Sequence, residues 1–204
     1  EEETMIIQAP AAAHLENLDE VFSGWNFRTV ETQALQLDDF DNPGMIFVDQ
    51  AIDQWNTVDG AAGESCASCH EGGTAEFAGL RAVLPRWDEE AGGIQSMEDY
   101  INECRTERMQ ADAWKWSESK MTAMTALIGL ESRGMPVNVA IDGPASDAWE
   151  QGKEIYYTRV GQLDMSCANC HEDNYDTMIS ADHLSQGQLN GFPTSRLKHA
   201  QLNS

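Results

Sequence analysis

The sequence has little positive charge. Of its 204 residues, 12 are Lys or Arg and 35 are Asp or Glu, which gives a formal net charge of −23. Nucleic acid is excluded as a natural partner, because two strongly negative polymers repel each other at long range. The acidity fits a solvated surface, and electrostatic attraction towards a basic partner protein is the alternative interpretation.

The sequence also lacks a long apolar run. Met5-Ile6-Ile7 is far shorter than the roughly 20 residues that a membrane-spanning helix needs, so we predict no membrane span. The chain begins at Glu1 without an initiator methionine, which leads us to expect that a signal peptide has been removed. The length allows one large domain or two small ones.

Cysteine is scarce, and four of the five cysteines lie in two almost identical segments. Residues 65–71 read SCASCHE and residues 166–172 read SCANCHE, 101 residues further along. Each contains C-x-x-C-H, the attachment pattern of a c-type haem, in which two thiols bond the porphyrin and the histidine ligates the iron. The residues concerned are Cys66, Cys69, His70, Cys167, Cys170 and His171.

A bare C-x-x-C pair can also be half of a zinc site or a redox dithiol. The histidine that follows both pairs favours haem, so the sequence predicts two covalently bound haem c groups. Covalent attachment of haem to cysteine pairs takes place outside the cytoplasm, and we therefore expect a periplasmic protein.

The repeat extends beyond the two motifs. Trp55 stands eleven residues before Cys66, and Tyr156 stands eleven residues before Cys167, each in a predicted helix (44–55 and 148–157). This indicates an internal duplication of a cytochrome c unit. We predict a mainly α fold of two cytochrome c-like domains related by pseudo-two-fold duplication. The predicted boundaries are 1–43 for an N-terminal segment, 44–136 for the first domain, and 137–204 for a linker and a shortened second domain.

Other helices follow from capping and periodicity. Ser96, with Asp99 three residues on, predicts the start of a helix. A second helix is predicted over 117–133, ended by Gly134. Short helices are also expected between residues 9 and 23.

The first iron needs a sixth ligand or stays open. Cys104 is a strong candidate, because it has no cysteine partner for a disulfide and an unpaired thiol is a liability in an oxidising compartment. A small buried core residue is the alternative for Cys104, and the two interpretations are equally supported by the residues alone. A thiolate ligand would lower the reduction potential. The methionine candidates are Met97, Met109, Met121, Met124 and Met135.

The second iron has weaker candidates for its sixth ligand: Met178, His183 and His199. Each is more simply explained as a loop side chain. Arg196 and Lys198 stand out because cations are scarce, and they could hold a haem propionate or an anionic substrate.

Several segments together resemble the SoxA family, in its dihaem form. SoxA is the larger subunit of the SoxAX cytochrome of bacterial thiosulfate oxidation. The segments carrying the resemblance are 23–25, 31–36, 38–40, 42–45, 101–105, 132–136, 161–167, 184–187 and 190–194.

The resemblance implies two cytochrome c-like domains and a small cytochrome c partner, SoxX. It implies L-cysteine S-thiosulfotransferase activity, in which thiosulfate is joined oxidatively to a cysteine of the carrier protein SoxYZ. It also implies that Cys104, in the I-N-x-C-R segment, is the distal ligand of the first haem. The expected metal ligands are therefore His70, Cys104 and His171.

The given sequence departs from the family pattern at its end. The family carries a further cysteine downstream, which ligates the second haem and is the expected catalytic sulfur. The sequence stops at Ser204, before that segment, so we assign no catalytic residue within it and expect a truncated or incomplete second domain. Two alternative functions stay open from the sequence: a dihaem cytochrome that only transfers electrons, and a thiosulfate dehydrogenase that forms tetrathionate.

Overall fold

The computed structural model describes residues 6–15 and 17–188, and in this part of the chain the fold is mainly helical with three short antiparallel hairpins. The α-helices are α1 (Val30–Leu37), α2 (Met45–Asn56), α3 (Cys66–Cys69), α4 (Met97–Glu103), α5 (Ser119–Leu130), α6 (Ser146–Tyr157) and α7 (Cys167–His171). The hairpins pair β1 (Gln8–Pro10) with β2 (Glu20–Phe22), β3 (Arg86–Asp88) with β4 (Gly93–Gln95), and β5 (Met178–Ile179) with β6 (Asp182–His183). Shorter 3-10 helices cover Gly24–Phe27, Gly73–Phe77, Leu80–Val83 and Gly143–Ala145, and a π-helical turn covers Cys104–Arg108.

The core lies between α2 and α5. Val48, Ala51 and Trp55 recur along one face of α2 and are buried against α5. The predicted helix over 117–133 is confirmed as α5, but its burial is not confined to a stripe. Eight of its residues are buried, because neighbouring segments enclose the helix on nearly all sides: Met121, Ala123, Met124, Thr125, Ala126, Leu127, Ile128 and Gly129.

Helix α4 begins where the capping pattern predicts. The side chain of Ser96 accepts from the backbone N–H of Asp99, and the Asp99 carboxylate accepts from the backbone N–H of Ser96. This reciprocal pair satisfies two N–H groups that the helix leaves without partners. The helix passes directly into the π-helical turn that begins at Cys104.

The expectation of short helices between residues 9 and 23 was wrong. The segment forms the β1–β2 hairpin instead, with Gln8 opposite Phe22 and Pro10 opposite Glu20. Strand pairing and tertiary contacts outweigh a weak local helix preference here.

The N-terminal hairpin packs against the region after the second motif, although it precedes the first motif in sequence. The backbone N–H of Phe22 donates to Oε1 of Gln186 at 2.6 Å, and Nη2 of Arg28 donates to the carbonyl oxygen of His183 at 2.7 Å. Gln186 is almost fully buried. Contacts at these sequence separations position the residues that follow His171.

The duplication is visible at a constant offset of 101 residues. Helix α6 repeats α2, and the isolated bridge Asp59–Glu64 is repeated by Val160–Met165. Both loops lead to a short helix that carries a C-x-x-C pair.

The domain boundaries at 43 and 136 stay predictions. No helix of the described segments combines the length and the apolar character needed to cross a membrane.

Candidate haem sites

The first pair of thiols lies on α3, a single rigid turn. Ser65 caps this turn: its Oγ accepts from the backbone N–H of Ser68 at 3.1 Å, and the Ser68 hydroxyl oxygen accepts from the backbone N–H of Ser65 at 2.9 Å. The spacing of one turn places Cys66 and Cys69 on the same side of the helix. Both thiols are free, as bonding to porphyrin vinyl groups requires.

The imidazole of His70 is held in one orientation by aromatic rings and a carboxylate. Its centroid lies 5.6 Å from that of Trp55 and 4.9 Å from that of Phe77. Its Nδ1 lies 3.1 Å from Oε2 of Glu76. The backbone N–H of Gly72 and the imidazole of His70 lower the pKa of the Glu76 carboxyl, which is therefore an ionised acceptor at neutral pH. Because a carboxylate can only accept, Nδ1 carries the proton and Nε2 keeps a lone pair for iron.

Cys104 lies near the first motif. It begins the π-helical turn, and π turns often mark functional positions. Cys104 is exposed, and partial desolvation of its thiol is the main cause that raises the thiol pKa, to which the nearby Glu103 and Cys69 add. Cys104 in turn contributes to the raised pKa of Cys66. The structure thus brings Cys104 into the electrostatic neighbourhood of both first-motif cysteines.

The methionine candidates for the first iron occupy other environments. Met97 and Met124 belong to the core cluster. Met121 is fully buried and Met109 is 4% exposed. Met135 is partly exposed.

A buried arginine fixes the turn that carries Cys104. The guanidinium of Arg105 stacks 3.9 Å from the ring centroid of Trp114, and its Nε donates to the carbonyl oxygen of Asp112 at 2.9 Å. Its Nη2 donates to Oδ2 of Asp59, in the loop before the first motif. Arg105 therefore links the Cys104 turn to the segment that leads into α3.

The second motif repeats the first in its cap. The amide oxygen of Asn169 accepts from the backbone N–H of Ser166 at 2.9 Å, so an Asn replaces the Ser of the first cap. Helix α7 then carries Cys167, Cys170 and His171, and both of its thiols are free.

The imidazole of His171 is oriented by a backbone carbonyl. Its Nδ1 lies 2.7 Å from the carbonyl oxygen of Ser185. A carbonyl only accepts, so Nδ1 carries the proton and Nε2 is again left for iron. Gly187 approaches the same ring, and a Cβ at this position would lie 3.5 Å from Nδ1.

The second site is also marked by Tyr156, the counterpart of Trp55. Burial is the main cause that raises the pKa of the Tyr156 hydroxyl, and the negative charge of Glu172 adds to the effect. The adjacent Glu172 is buried and accepts from the Tyr157 hydroxyl at 2.6 Å.

The sixth-ligand candidates of the second site are only partly described. Nε2 of His183 lies 2.9 Å from Oδ1 of Asp176, so this nitrogen is already engaged. Met178 is 59% exposed and faces His183 across the β5–β6 pair. His199, the remaining sixth-ligand candidate, lies outside the described residues, as do Arg196 and Lys198, the cations predicted to hold a propionate or an anionic substrate.

Both sites fit a covalently attached haem. In each, two free thiols on one short helix precede a histidine whose Nδ1 is hydrogen-bonded and whose Nε2 is left for a metal. Among residues 6–15 and 17–188, no group of three or more His, Cys, Asp or Glu side chains could hold a bare metal ion. The cysteine pairs therefore do not form a zinc cluster in that part of the chain.

Sequence reasoning placed both thiol pairs and both histidines but missed their hydrogen-bond acceptors. Glu76 follows His70 by six residues and Ser185 follows His171 by fourteen, and neither spacing belongs to a motif. The role of Arg105 was also missed, although it follows Cys104 directly. Cationic residues are scarce in this sequence, so an arginine directly after the unpaired cysteine was a signal that the sequence offered.

Comparisons with known proteins agree with this geometry. The family model of the SoxA/TsdA cytochrome c domain matches residues 50–137. A cytochrome c domain binds haem c, so this chain is a haem c protein.

The relatives cover nearly all of the chain. It is 60% identical over 194 residues to the L-cysteine S-thiosulfotransferase subunit SoxA of Paracoccus pantotrophus, covering 95% of this chain and 67% of the relative. The SoxA subunit of Rhodovulum sulfidophilum is 55% identical over 98% of this chain and 70% of its own length. A chain of the crystal structure of SoxXA from P. pantotrophus superposes with a TM-score of 0.87 at 57% identity, covering 93% of this chain and 72% of that one. From its sequence and its fold, this chain belongs to the SoxA family.

Proposed function

We propose that this chain is the dihaem SoxA subunit of a periplasmic L-cysteine S-thiosulfotransferase. It pairs with a SoxX-like small cytochrome c, and the complex conjugates thiosulfate to a cysteine of a SoxYZ-like carrier protein. The observation that carries the proposal is the 60% identity to a SoxA subunit with that activity in its name, spread over 95% of this chain. Family membership favours this function over a pure electron carrier and over a thiosulfate dehydrogenase.

Two haem c groups are proposed, one for each repeat. Cys66 and Cys69 would attach the first, and His70 and Cys104 would ligate its iron. Cys167 and Cys170 would attach the second, with His171 as an axial ligand. The equal offsets of the two motifs, caps and preceding helices support equal attachment chemistry at both.

The proposed reaction forms one sulfur–sulfur bond. The thiolate of the carrier cysteine and the terminal sulfur of thiosulfate join, and two electrons leave. Bound haem c supplies one-electron acceptors for this oxidation, and the partner's cytochrome carries the electrons away. We assign no residue of the given sequence to contact with the reacting sulfurs.

The residues of this chain have positioning roles in the proposal. The capped helices α3 and α7 fix the thiols, while Glu76 and the Ser185 carbonyl fix the tautomers of His70 and His171. A periplasmic location is proposed because covalent haem attachment takes place outside the cytoplasm. The net charge of −23 would favour encounter with a basic partner surface.

The test uses the full-length haem-loaded protein with its small cytochrome partner. It is incubated with thiosulfate, an oxidised cytochrome acceptor and a carrier protein that has a single exposed cysteine. Intact mass of the carrier reads the product, and a carrier with that cysteine changed to serine is the control. We expect a thiosulfate adduct on the carrier that retains its cysteine and no adduct on the serine control.

Other outcomes identify the alternative functions. Tetrathionate formed without carrier would indicate a thiosulfate dehydrogenase. Reversible reduction of the haems with neither product would indicate an electron-transfer cytochrome. Either result would overturn the proposed activity.

A further inference from the structure

The two axial histidines differ in the group that accepts their Nδ1 proton. The acceptor for His70 is the carboxylate of Glu76, at 3.1 Å, whereas the acceptor for His171 is the backbone carbonyl oxygen of Ser185, at 2.7 Å. A carboxylate carries a full negative charge and polarises the imidazole more strongly than a neutral carbonyl does. Both repeats therefore have a hydrogen bond at Nδ1 of the histidine, but its acceptor is charged in the first repeat and neutral in the second.

The Glu76 carboxylate is held in place at both oxygens. While Oε2 faces His70, Oε1 accepts from the backbone N–H of Gly72 at 2.8 Å. A side chain at Gly72 would collide with the carboxylate, since its Cβ would lie 2.5 Å from Oε1. Glycine at this position thus leaves the space that the carboxylate occupies.

The 3-10 helix that carries Glu76 is itself anchored to the core. Residues Gly73–Phe77 form this helix, and the Thr74 hydroxyl donates to the carboxylate of Glu131 at the end of α5. Phe77, the next residue after Glu76, packs against the His70 ring. One anchored turn therefore presents both an aromatic ring and a carboxylate to the same imidazole.

We infer that Glu76 is a positioning residue that makes His70 a stronger donor to the first haem iron and so stabilises the ferric state of that haem relative to the ferrous state. The inference rests on the proposed function in one respect, which is that His70 ligates a haem. A more electron-rich imidazole favours Fe(III) over Fe(II), and this lowers the reduction potential. Among the described residues, the acceptor at Nδ1 of His171 is a neutral carbonyl and not a carboxylate, so the effect is confined to the first haem.

The test is a redox titration of Glu76→Gln in the full-length, haem-loaded protein. The amide oxygen of Gln can still accept the Nδ1 proton, so the shape of the site is kept while the negative charge is removed. We expect the midpoint potential of the first haem to rise and that of the second haem to stay unchanged. A tenfold loss of preference for the ferric state corresponds to a shift of about 59 mV for one electron.

Two further variants distinguish the effect of the hydrogen bond between Glu76 and His70 from the effect of removing a nearby charge. Glu71→Gln removes a charge from an exposed neighbouring position and is expected to raise the first potential much less than Glu76→Gln does, because solvent screens a charge that makes no hydrogen bond to Nδ1. Glu76→Asp keeps the charge but withdraws the carboxylate from Nδ1, and we expect it to raise the potential as Glu76→Gln does. Equal shifts in Glu71→Gln and Glu76→Gln, or no shift in Glu76→Gln, would overturn the inference.

A measurement on the unaltered protein tests the inference even if the variants fail to load haem. In the ferrous protein with ¹⁵N-labelled histidine, the Nδ1 proton of His70 should show nuclear Overhauser contacts to the side-chain methylene protons of Glu76, since Oε2 of Glu76 lies 3.1 Å from Nδ1. The absence of these contacts would contradict a Glu76 acceptor. The number of haems, taken from the intact mass, distinguishes failure of the proposed haem site from failure of the role assigned to Glu76. An unaltered protein that lacks the first haem would refute the proposed site. Two haems with no shift in potential would refute only the role of Glu76.

Discussion

Arg105 and Asp59 form an ion pair that joins the turn carrying Cys104 to the loop before the first haem motif. Nη2 of Arg105 lies 2.8 Å from Oδ2 of Asp59, and the Arg105 side chain is 5% exposed while that of Asp59 is 51% exposed. The planar guanidinium also stacks on Trp114 and donates to the Asp112 carbonyl. One side chain thus fixes the position of Cys104 relative to the first pair of thiols.

Replacing Arg105 by lysine should destabilise the protein by about 2–3 kcal/mol, because the stacking and at least one hydrogen bond are lost while the charge is kept. Denaturant unfolding measures the loss. Arg108→Lys, on the exposed side of the same turn, is the control and should cost under about 0.5 kcal/mol. Equal losses for both variants would contradict the assigned role of Arg105.

The Arg105–Asp59 pair also predicts a dependence on acid. The side-chain hydrogen bond from Arg105 and the backbone N–H of Gly60 lower the pKa of Asp59. Folding therefore favours the ionised form, so this contribution to stability is fully present above the unfolded pKa of about 3.9 and is lost as the pH falls through the lower folded pKa. Unfolding free energies of the wild type and Asp59→Asn should converge over that acid range. A constant difference from pH 6 to pH 2 would refute this assignment.

Gly60 and Gly161 are equivalent glycines in the two repeats and provide a matched pair of substitutions. Both have positive φ, 73° and 74°, which disfavours any residue with a Cβ. A Cβ at Gly60 would also clash with the Met109 carbonyl oxygen, whereas no other atom of the described residues lies within 4 Å of one at Gly161. Gly60→Ala should cost about 2–5 kcal/mol and Gly161→Ala about 1–2 kcal/mol in unfolding free energy. The reverse order would show that the 109–111 segment is not packed against this loop.

Cys104→Ser tests the proposal that Cys104 ligates the iron of the first haem. The variant should keep both haems, because attachment depends on the C-x-x-C pairs, but lose the low-spin thiolate signal of one haem in electron paramagnetic resonance. Met124→Leu is the opposing control: Met124 is 1% exposed in the core, and its replacement should leave the signal intact. A spectrum changed by Met124→Leu and not by Cys104→Ser would identify a methionine ligand instead.

Local chemistry explains which features could be predicted from the sequence. The capping pair Ser96–Asp99, the C-x-x-C-H turns and the matched offsets of Trp55 and Tyr156 are patterns within a few residues, so the sequence displays them directly. The N-terminal hairpin could not be predicted, because its buried partner Gln186 lies 164 residues from Phe22.

The hydrogen-bond acceptors of His70 and His171 could not be predicted for a related reason. Glu76 reaches His70 only because a 3-10 helix turns back over Gly72, and the Ser185 carbonyl reaches His171 only because the β5–β6 hairpin returns the chain. Every residue has a backbone carbonyl, so the sequence does not reveal which carbonyl accepts a given hydrogen bond. Only the three-dimensional structure identifies it.

The intact mass of the purified, acid-denatured protein shows whether haem is attached covalently at both C-x-x-C-H repeats. Thioether bonds survive denaturation, whereas a haem held only by axial ligands is released. We expect a polypeptide carrying two haem masses, reduced to one in Cys66→Ser/Cys69→Ser and likewise in Cys167→Ser/Cys170→Ser. A wild-type polypeptide carrying one haem mass, or none, would show that the two repeats do not both attach haem.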